Sequence, residues 1–534
     1  MGFVILLLFA CAAVQGLVRV DPLVKTKQGL IKGIRADDGD YSMFLGIPYA
    51  IVDENNPFGP SIPQTEFKEI YNANDDSRTC PQVDEFTNQI TGTLDCLRLN
   101  VYVPNIAGSR NKLPVLIWIH GGGFSGGDGG RFVTGPKFLV RHDVVLVTMN
   151  YRLGPYGFMC LDTPEVPGNQ GLKDQLLALR WIKGNIAAFG GDENKMTLMG
   201  ESAGASSVDF HLLSDKESLF DQVILQSGSA LLTLLGESIP DAPLRLTKQL
   251  GYETSDVDEA LSYLSKMDTN SVINATLSSH LFFKVCIEKR FDDVDGFVTE
   301  HPLMVDSPKI KNTPMLAGFN NKETLMMYAH MRPEQFKGYG TFRNVLEGYF
   351  TYDDEFAEME DLVRRFYIGD EEMSEALRWD LMEFNSDLTF NFPVQWTIDH
   401  YLQKGSKIYQ YLFSYSGERN FLKKRMNITT DGAAHADEIA YLFDISYEDT
   451  PTHEDQRMID QMTTLWTNFA KFGDPTPETT DLLPVKWVPA TKEINNYLDL
   501  DKELALRRLP YNKRLTFLKF FFKTNMHRLT LLTK

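Results

Sequence analysis

Residues 196–204 read Met-Thr-Leu-Met-Gly-Glu-Ser-Ala-Gly, a short apolar run ending in Gly-x-Ser-x-Gly. No other stretch constrains the fold of this chain as much. A serine with glycine two residues to either side can sit at the apex of a sharp strand-to-helix reversal. Gly200 and Gly204 remove the Cβ atoms that would collide there. Such an elbow leaves the Ser202 hydroxyl open to a histidine and to a substrate carbonyl. The five-residue pattern alone arises often by chance, and its surroundings give it weight. Residues 195–199 read as a buried strand, and 203–213 as a helix with small residues turned toward the elbow.

A second element lies upstream. Residues 113–124, Leu-Pro-Val-Leu-Ile-Trp-Ile-His-Gly-Gly-Gly-Phe, describe a strand running into a glycine-rich loop. Adjacent glycines let backbone N–H groups converge on one point. A nest of this kind stabilises the oxyanion of a tetrahedral intermediate, and losing one donor costs about 3–4 kcal/mol. The plain alternative is a flexible loop, since Gly126, Gly127, Gly129 and Gly130 continue the run. A strand–HGGG loop upstream of a strand–GxSxG elbow is much rarer than either alone, and the pair points to acyl transfer through a nucleophilic serine.

The elbow requires an acid and then a histidine further along the chain. Eight histidines follow Ser202, so spacing cannot choose among them. His435 sits in Asp-Gly-Ala-Ala-His-Ala-Asp-Glu, a small-residue loop before the apolar 439–443, whereas His330, His400 and His453 lie in charged or helical surroundings. Residues 313–319 read as a strand, with Glu323 on the loop just beyond, where a carboxylate could accept the imidazole Nδ1–H. By periodicity alone Glu323 is one of several loop acids.

These segments resemble the type-B carboxylesterase and cholinesterase family of α/β-hydrolases. Further blocks carry the resemblance along most of the chain: Asp95-Cys-Leu-Arg-Leu-Asn-Val101, Asn150-Tyr-Arg-Leu-Gly-Pro155, Asn169-Gln-Gly-Leu-Lys-Asp174, Phe189-Gly-Gly-Asp192, Gln226-Ser-Gly-Ser229 and Trp466-Thr-Asn-Phe-Ala470. The resemblance selects Glu323 and His435 as triad partners of Ser202, and implies Gly122, Gly123 and the Ala203 amide as oxyanion donors. It also places Glu201 and Ser227 near the serine and the triad acid. As plain structure, Glu201 is a buried carboxylate in need of partners, and Ser227 a hydroxyl that satisfies nearby backbone.

The fold so implied is the α/β-hydrolase fold: a large, mostly parallel central sheet flanked by helices, with helical cap insertions. The order strand (115–119), strand (144–149), helix (171–188), strand (196–199), helix, strand (222–226) and a later strand at 407–413 agrees with a sheet covered on both faces. Residues 230–300 read as the cap. No linker-like stretch divides the chain, so 17–534 is expected to form one catalytic domain. The blend of motifs looks closest to secreted insect carboxylesterases, with odorant, pheromone, xenobiotic, dietary or hormone esters as substrates. Juvenile hormone esterases usually carry glutamine where this chain has Glu201. The rival from another class is a non-catalytic adhesion or carrier protein on the same fold; relatives of that kind commonly lose a triad member, and none is lost here.

Residues 3–14 are a run of twelve apolar residues, too short to span a bilayer, and small residues follow. Residues 1–16 therefore read as a cleaved signal peptide. Myristoylation fails because position 6 is leucine. Export agrees with the cysteines: the resemblance pairs Cys80 with Cys96, while Cys160 and Cys286 are expected to be free, the family's second bridge being absent. Asn274-Ala-Thr and Asn427-Ile-Thr are glycosylation sequons. A net charge of −19 argues against a nucleic-acid partner. Residues 512–534 carry six Lys or Arg and no acid, read as a terminal helix packed on its own domain rather than a segment lying on a membrane. Neither a metal nor an organic cofactor is expected, and no stable membrane anchor. The expected molecule is an extracellular monomer or weak dimer acting on a small-molecule ester.

Overall fold

The computed structural model describes residues 22–446 and 450–532, so the signal peptide expected at 1–16 lies outside the described residues. Eleven strands build one sheet: β1 (Ile34–Arg35), β2 (Tyr41–Pro48), β3 (Arg98–Pro104), β4 (Leu113–Ile119), β5 (Val145–Met149), β6 (Gly191–Glu201), β7 (Gln222–Gln226), β8 (Met315–Asn320), β9 (Ile408–Phe413), β10 (Asn496–Leu500) and β11 (Ala505–Arg508). Their order across the sheet is β11-β10-β9-β8-β7-β6-β4-β5-β3-β2-β1. From β10 to β5 every pairing is parallel. Antiparallel strands close both edges.

Period-two alternation sends the strand residues to two cores. Val115, Ile117 and Ile119 face the layer that contains Leu172, Leu176 and Ile182 of α1 (Gln170–Asn185) and Val208 and Leu212 of α2 (Ala203–Leu213). Leu116 and Trp118 face the opposite layer, beneath Met462, Leu465 and Trp466 of the helix His453–Phe472. Burial on both faces explains why β4 is apolar without interruption and β5 is broken only by Thr148, whose hydroxyl donates to Gly129 O at 2.6 Å. Two of the sequence blocks meet in an ion pair: the fully buried Arg152 and Asp174 form parallel bonds of 2.7 and 2.8 Å that fix the start of α1. Removing one member of such a pair costs about 3–5 kcal/mol.

Strand order reverses at β4, since β5 lies on one side of it and β6 on the other. In open α/β sheets the crevice at that reversal, beyond the carboxyl ends of the strands, is where ligands bind. The cap lies over it and contains the helix Thr269–Ser278 and a two-residue parallel pair, Leu235–Gly236 with Val285–Cys286. The helix Asn512–Thr524 packs on the domain through Leu515, Leu518, Phe521 and Phe522, and Arg514 bonds the buried Asp387 at 2.7 Å. No described helix is long and apolar enough to cross a membrane.

Cys80 and Cys96 form the expected bridge, with Cα atoms 5.0 Å apart. The expectation that Cys160 and Cys286 are free is corrected: they are bonded to each other across 126 residues. The reason is a clamp on Cys286. Its N–H donates to Asn169 Oδ1 at 3.0 Å and its carbonyl accepts from Asn169 Nδ2 at 2.9 Å, which holds it beside the 160–168 loop. Gly168 is required there, because an added Cβ would lie 2.5 and 2.8 Å from the two sulfurs.

Candidate active site

The elbow forms as its sequence requires. Ser202 has φ 57° and ψ −124°, a strained pair for a non-glycine residue, at the junction of β6 and α2. A Cβ on Gly204 would lie 2.1 Å from the Ile119 carbonyl oxygen, and one on Gly200 would lie 2.5 Å from the Gly204 carbonyl carbon. Backbone bonds brace the turn: Ser202 N–H donates to Gln226 O at 2.8 Å, and Ser206 N–H to Ser202 O at 2.9 Å.

The glycine loop lies against this turn, close enough that a Cβ on Gly121 would be 3.0 Å from Ser202 Cβ. Gly122 and Gly123 adopt positive φ of 104° and 60°. Among the described residues their N–H groups donate no hydrogen bond, and that of Ala203 opens the first turn of α2, where no intrahelical acceptor exists. His120 anchors the base of the loop. It is buried, stacks on Tyr151 at 4.5 Å, and contacts Gly121 O through Nδ1 at 2.8 Å. Burial pushes its pKa down to about 4, so it stays neutral.

Glu323 stands just past β8, fully buried. Its Oε1 accepts from Ser227 Oγ at 2.7 Å and from Asn320 N–H at 2.6 Å, and its Oε2 lies 2.7 Å from His435 Nδ1. The two residues are also joined through the backbone, His435 N–H donating to Glu323 O at 3.0 Å. Of the eight histidines after Ser202, His435 is the one that lines the cavity at the elbow. Its Nε2 lies 3.0 Å from Glu201 Oε1, without hydrogen-bond alignment. Among the described residues Ser202 Oγ donates no hydrogen bond, so the hydroxyl is uncommitted.

Electrostatics couple the two acids to the imidazole. Burial pushes Glu201 up to about 8, with His435 opposing. Burial disfavours the charged form of His435, but Glu201 and Glu323 outweigh it and raise its pKa to about 9. The two acids thus favour the imidazolium, the form His435 takes once it has accepted a proton.

Several residues near the triad had no role in the sequence reading. Glu438 is buried and accepts from Gln226 Nε2 at 3.0 Å and Asn320 Nδ2 at 2.6 Å. Trp466 Nε1 donates to Gln226 Oε1 at 3.0 Å, completing a polar chain beneath the triad. Gln226, Asn320 and Trp466 all lie in or beside the quoted blocks, the only signal that could have found them. Phe390 packs on the imidazole at 4.2 Å between ring centres, carried on a widened π-helical turn, Asp387–Asn391. Turns of that type frequently occur at functional sites.

The cavity holds about 980 Å³ and has two walls. One includes the 82–87 loop, Phe132 and Leu422; the other includes Leu232, Thr233, Leu234, Ile273, Leu281 and Phe283. Leu235 does not reach it and packs in the core.

Comparison with known proteins agrees with this geometry. The model of the carboxylesterase family matches residues 20–518. The chain belongs to the carboxylesterase family. It is a carboxylic ester hydrolase on the α/β-hydrolase fold. It is 31% identical to bile salt-activated lipase of Rattus norvegicus over 98% of this chain and 88% of that one. It is 30% identical to juvenile hormone esterase of Tribolium castaneum, over 85% of this chain and 84% of the other. The crystal structure of juvenile hormone esterase from Manduca sexta, with OTFP covalently attached, superposes with a TM-score of 0.80 at 26% identity, covering 95% of this chain and 99% of that chain.

Proposed function

We propose that the chain is a secreted serine carboxylesterase, one catalytic domain from residue 17 to 534, that hydrolyses neutral lipophilic esters through an acyl-enzyme on Ser202. One observation carries the reading: His435 is held by Glu323 at 2.7 Å, beside a strained nucleophile elbow that lines the cavity and a set of unspent N–H donors. Ser202 Oγ attacks the ester carbonyl while His435 Nε2 takes its proton, and Glu323 stabilises the imidazolium. Gly122, Gly123 and Ala203 donate to the oxyanion. The alcohol leaves with the proton from His435, and water activated by the same ring hydrolyses the acyl-enzyme. Glu201 and Ser227 position the ring and the acid. A non-catalytic carrier role would leave this arrangement without a purpose.

The walls favour uncharged esters over cationic ones. Phe86 is the aromatic residue of the 82–87 loop, but the Arg425 guanidinium lies 4.9 Å from its ring centre and Phe132 meets its edge at 5.0 Å. A cation already covers one face of that ring, which disfavours a second cation, a quaternary ammonium, beside it. Leu232 and Leu234 leave an aliphatic acyl wall, where each buried methylene adds about 0.8 kcal/mol. Juvenile hormone esters fall within this class, though Glu201 stands where glutamine would be expected. Exposed Asn274 and Asn427, both suited to glycosylation, and two disulfides support export.

The test is phosphonate labelling with peptide mapping, together with kcat/KM for acetate, butyrate and hexanoate esters and for acetylcholine. Labelling at Ser202, lost in Ser202→Ala with a turnover drop of about a millionfold, and rising kcat/KM with acyl length are expected. Label on another residue, or acetylcholine outperforming its uncharged analogue, contradicts the reading.

A further inference from the structure

The charged residues lining the cavity differ in one respect. Asp84 accepts from the N–H groups of Phe86 and Thr87, Glu85 pairs with Arg425, Asp128 accepts from Gly130 N–H, and Glu201 faces His435. Lys284 is the basic residue other than histidine on that lining, and among the described residues its ammonium makes no hydrogen bond or ion pair. It is half-buried, on the wall with Leu234, Leu281 and Phe283, and burial lowers its pKa.

Its position is fixed from both sides. Lys284 directly precedes the strand Val285–Cys286, which pairs in parallel with Leu235–Gly236, and Val285 N–H donates to Leu234 O at 3.0 Å. The aliphatic stem crosses Gly236, where an added Cβ would lie 3.0 Å from Lys284 Cδ. Two residues on, the Cys160–Cys286 bridge and the Asn169 clamp hold this segment to the catalytic core. The ammonium is therefore carried on a preorganised support. An ammonium partly withdrawn from water with no counter-charge is unfavourable, and a bound anion relieves that cost.

We propose that Lys284 recognises an anionic group at the far end of the acyl chain, so that half-esters of dicarboxylic acids are substrates of this site. The proposal rests on Ser202 being the nucleophile and on the 232–234 and 273–284 wall holding the acyl group. The apolar residues of the wall cover the methylenes between the ester carbonyl and the terminal carboxylate, and Lys284 pairs with that carboxylate. Hydrolysis then follows the ordinary course: the acyl C–O bond breaks, water supplies the hydroxyl, and a dicarboxylate and an alcohol are released. A lysine stem that merely covers apolar surface while its head reaches water is the competing explanation, and the experiment separates the two.

The measured quantity is the ratio of kcat/KM for monoethyl adipate to that for ethyl hexanoate, in the full-length enzyme and in Lys284→Met and Lys284→Arg. A charge-assisted contact predicts that the ratio falls about ten- to a hundredfold in Lys284→Met and stays within about threefold in Lys284→Arg. An unchanged ratio in Lys284→Met overturns the proposal, and so does an equal fall in Lys284→Arg. The acetate ester of 6-hydroxyhexanoic acid, measured against hexyl acetate, places the anion on the alcohol side. If Lys284→Met moves that ratio and not the first, the assignment of the wall is wrong and the proposal fails. Wild-type protein that is labelled by phosphonate at Ser202 yet turns over ethyl hexanoate and not monoethyl adipate refutes the substrate class alone; protein unlabelled at Ser202 refutes the nucleophile.

Discussion

Replacing Glu323 with glutamine tests the triad through its least replaceable feature, because the carboxylate has both oxygens committed. Oε1 accepts from Ser227 Oγ and from Asn320 N–H at 2.6 Å, and Oε2 meets His435 Nδ1 at 2.7 Å. Glutamine must put an NH₂ at one of these positions. At the first it faces the Asn320 N–H, a backbone donor that cannot reverse, and stranding that buried group costs about 1–3 kcal/mol. At the second it donates to Nδ1, which fixes the proton on Nε2 and removes the lone pair that must take the Ser202 proton. The second orientation is favoured, so the ring is held in the inactive tautomer, and in either orientation the imidazolium loses its counter-charge. In the serine protease triad the equivalent change lowers kcat about 10⁴-fold, about 5.5 kcal/mol of barrier. A loss of about 10³–10⁴ in kcat for p-nitrophenyl butyrate is expected, read as initial rates alongside a circular-dichroism melt. Glu323→Asp keeps the charge and should retain more activity than the amide. A Glu323→Gln enzyme with native-like melting and less than about a tenfold loss would refute the reasoning.

Three further outcomes follow from the same geometry. Glu201→Gln removes a carboxylate 3.0 Å from His435 Nε2; that charge raises the imidazole pKa, so its loss lowers it, and the acid limb of the kcat/KM profile should move down by about one unit or more, a stationary limb contradicting the coupling. Thiol titration of the denatured, unreduced mature protein should detect none of Cys80, Cys96, Cys160 and Cys286, and Cys160→Ser should lower stability by about 2–5 kcal/mol in a denaturant melt; reactive thiols from Cys160 and Cys286 would restore the expectation that they are free.

What could be read in the sequence was what local rules determine. The elbow needs two glycines at fixed offsets, and the structure explains both by contacts of 2.1 and 2.5 Å that any Cβ would make. Strands β4 and β7 and residues 196–201 of β6 stand out because both of their faces are buried; the expected strand 195–199 sits inside the longer Gly191–Glu201, with Lys195 exposed. Glu323 was reached only through resemblance, since periodicity cannot tell one loop acid from another; its selection in space comes from Ser227, Asn320 and His435, which lie on three separate segments. The Cys160–Cys286 bridge was misread for the same reason. Its two halves are 126 residues apart, and what joins them is an asparagine side chain hydrogen-bonded to the Cys286 backbone, a contact with no local signature. Lys284 shows the limit most plainly. In sequence it follows Phe282 and Phe283 as an ordinary lysine in an apolar run, and only the pairing of Leu235–Gly236 with Val285–Cys286 turns that run into a cavity wall. The elbow serine and the glycine loop are thus fixed by short-range geometry, while the pairing of Glu323 with His435 and the make-up of the cavity wall depend on which distant segments the fold brings together.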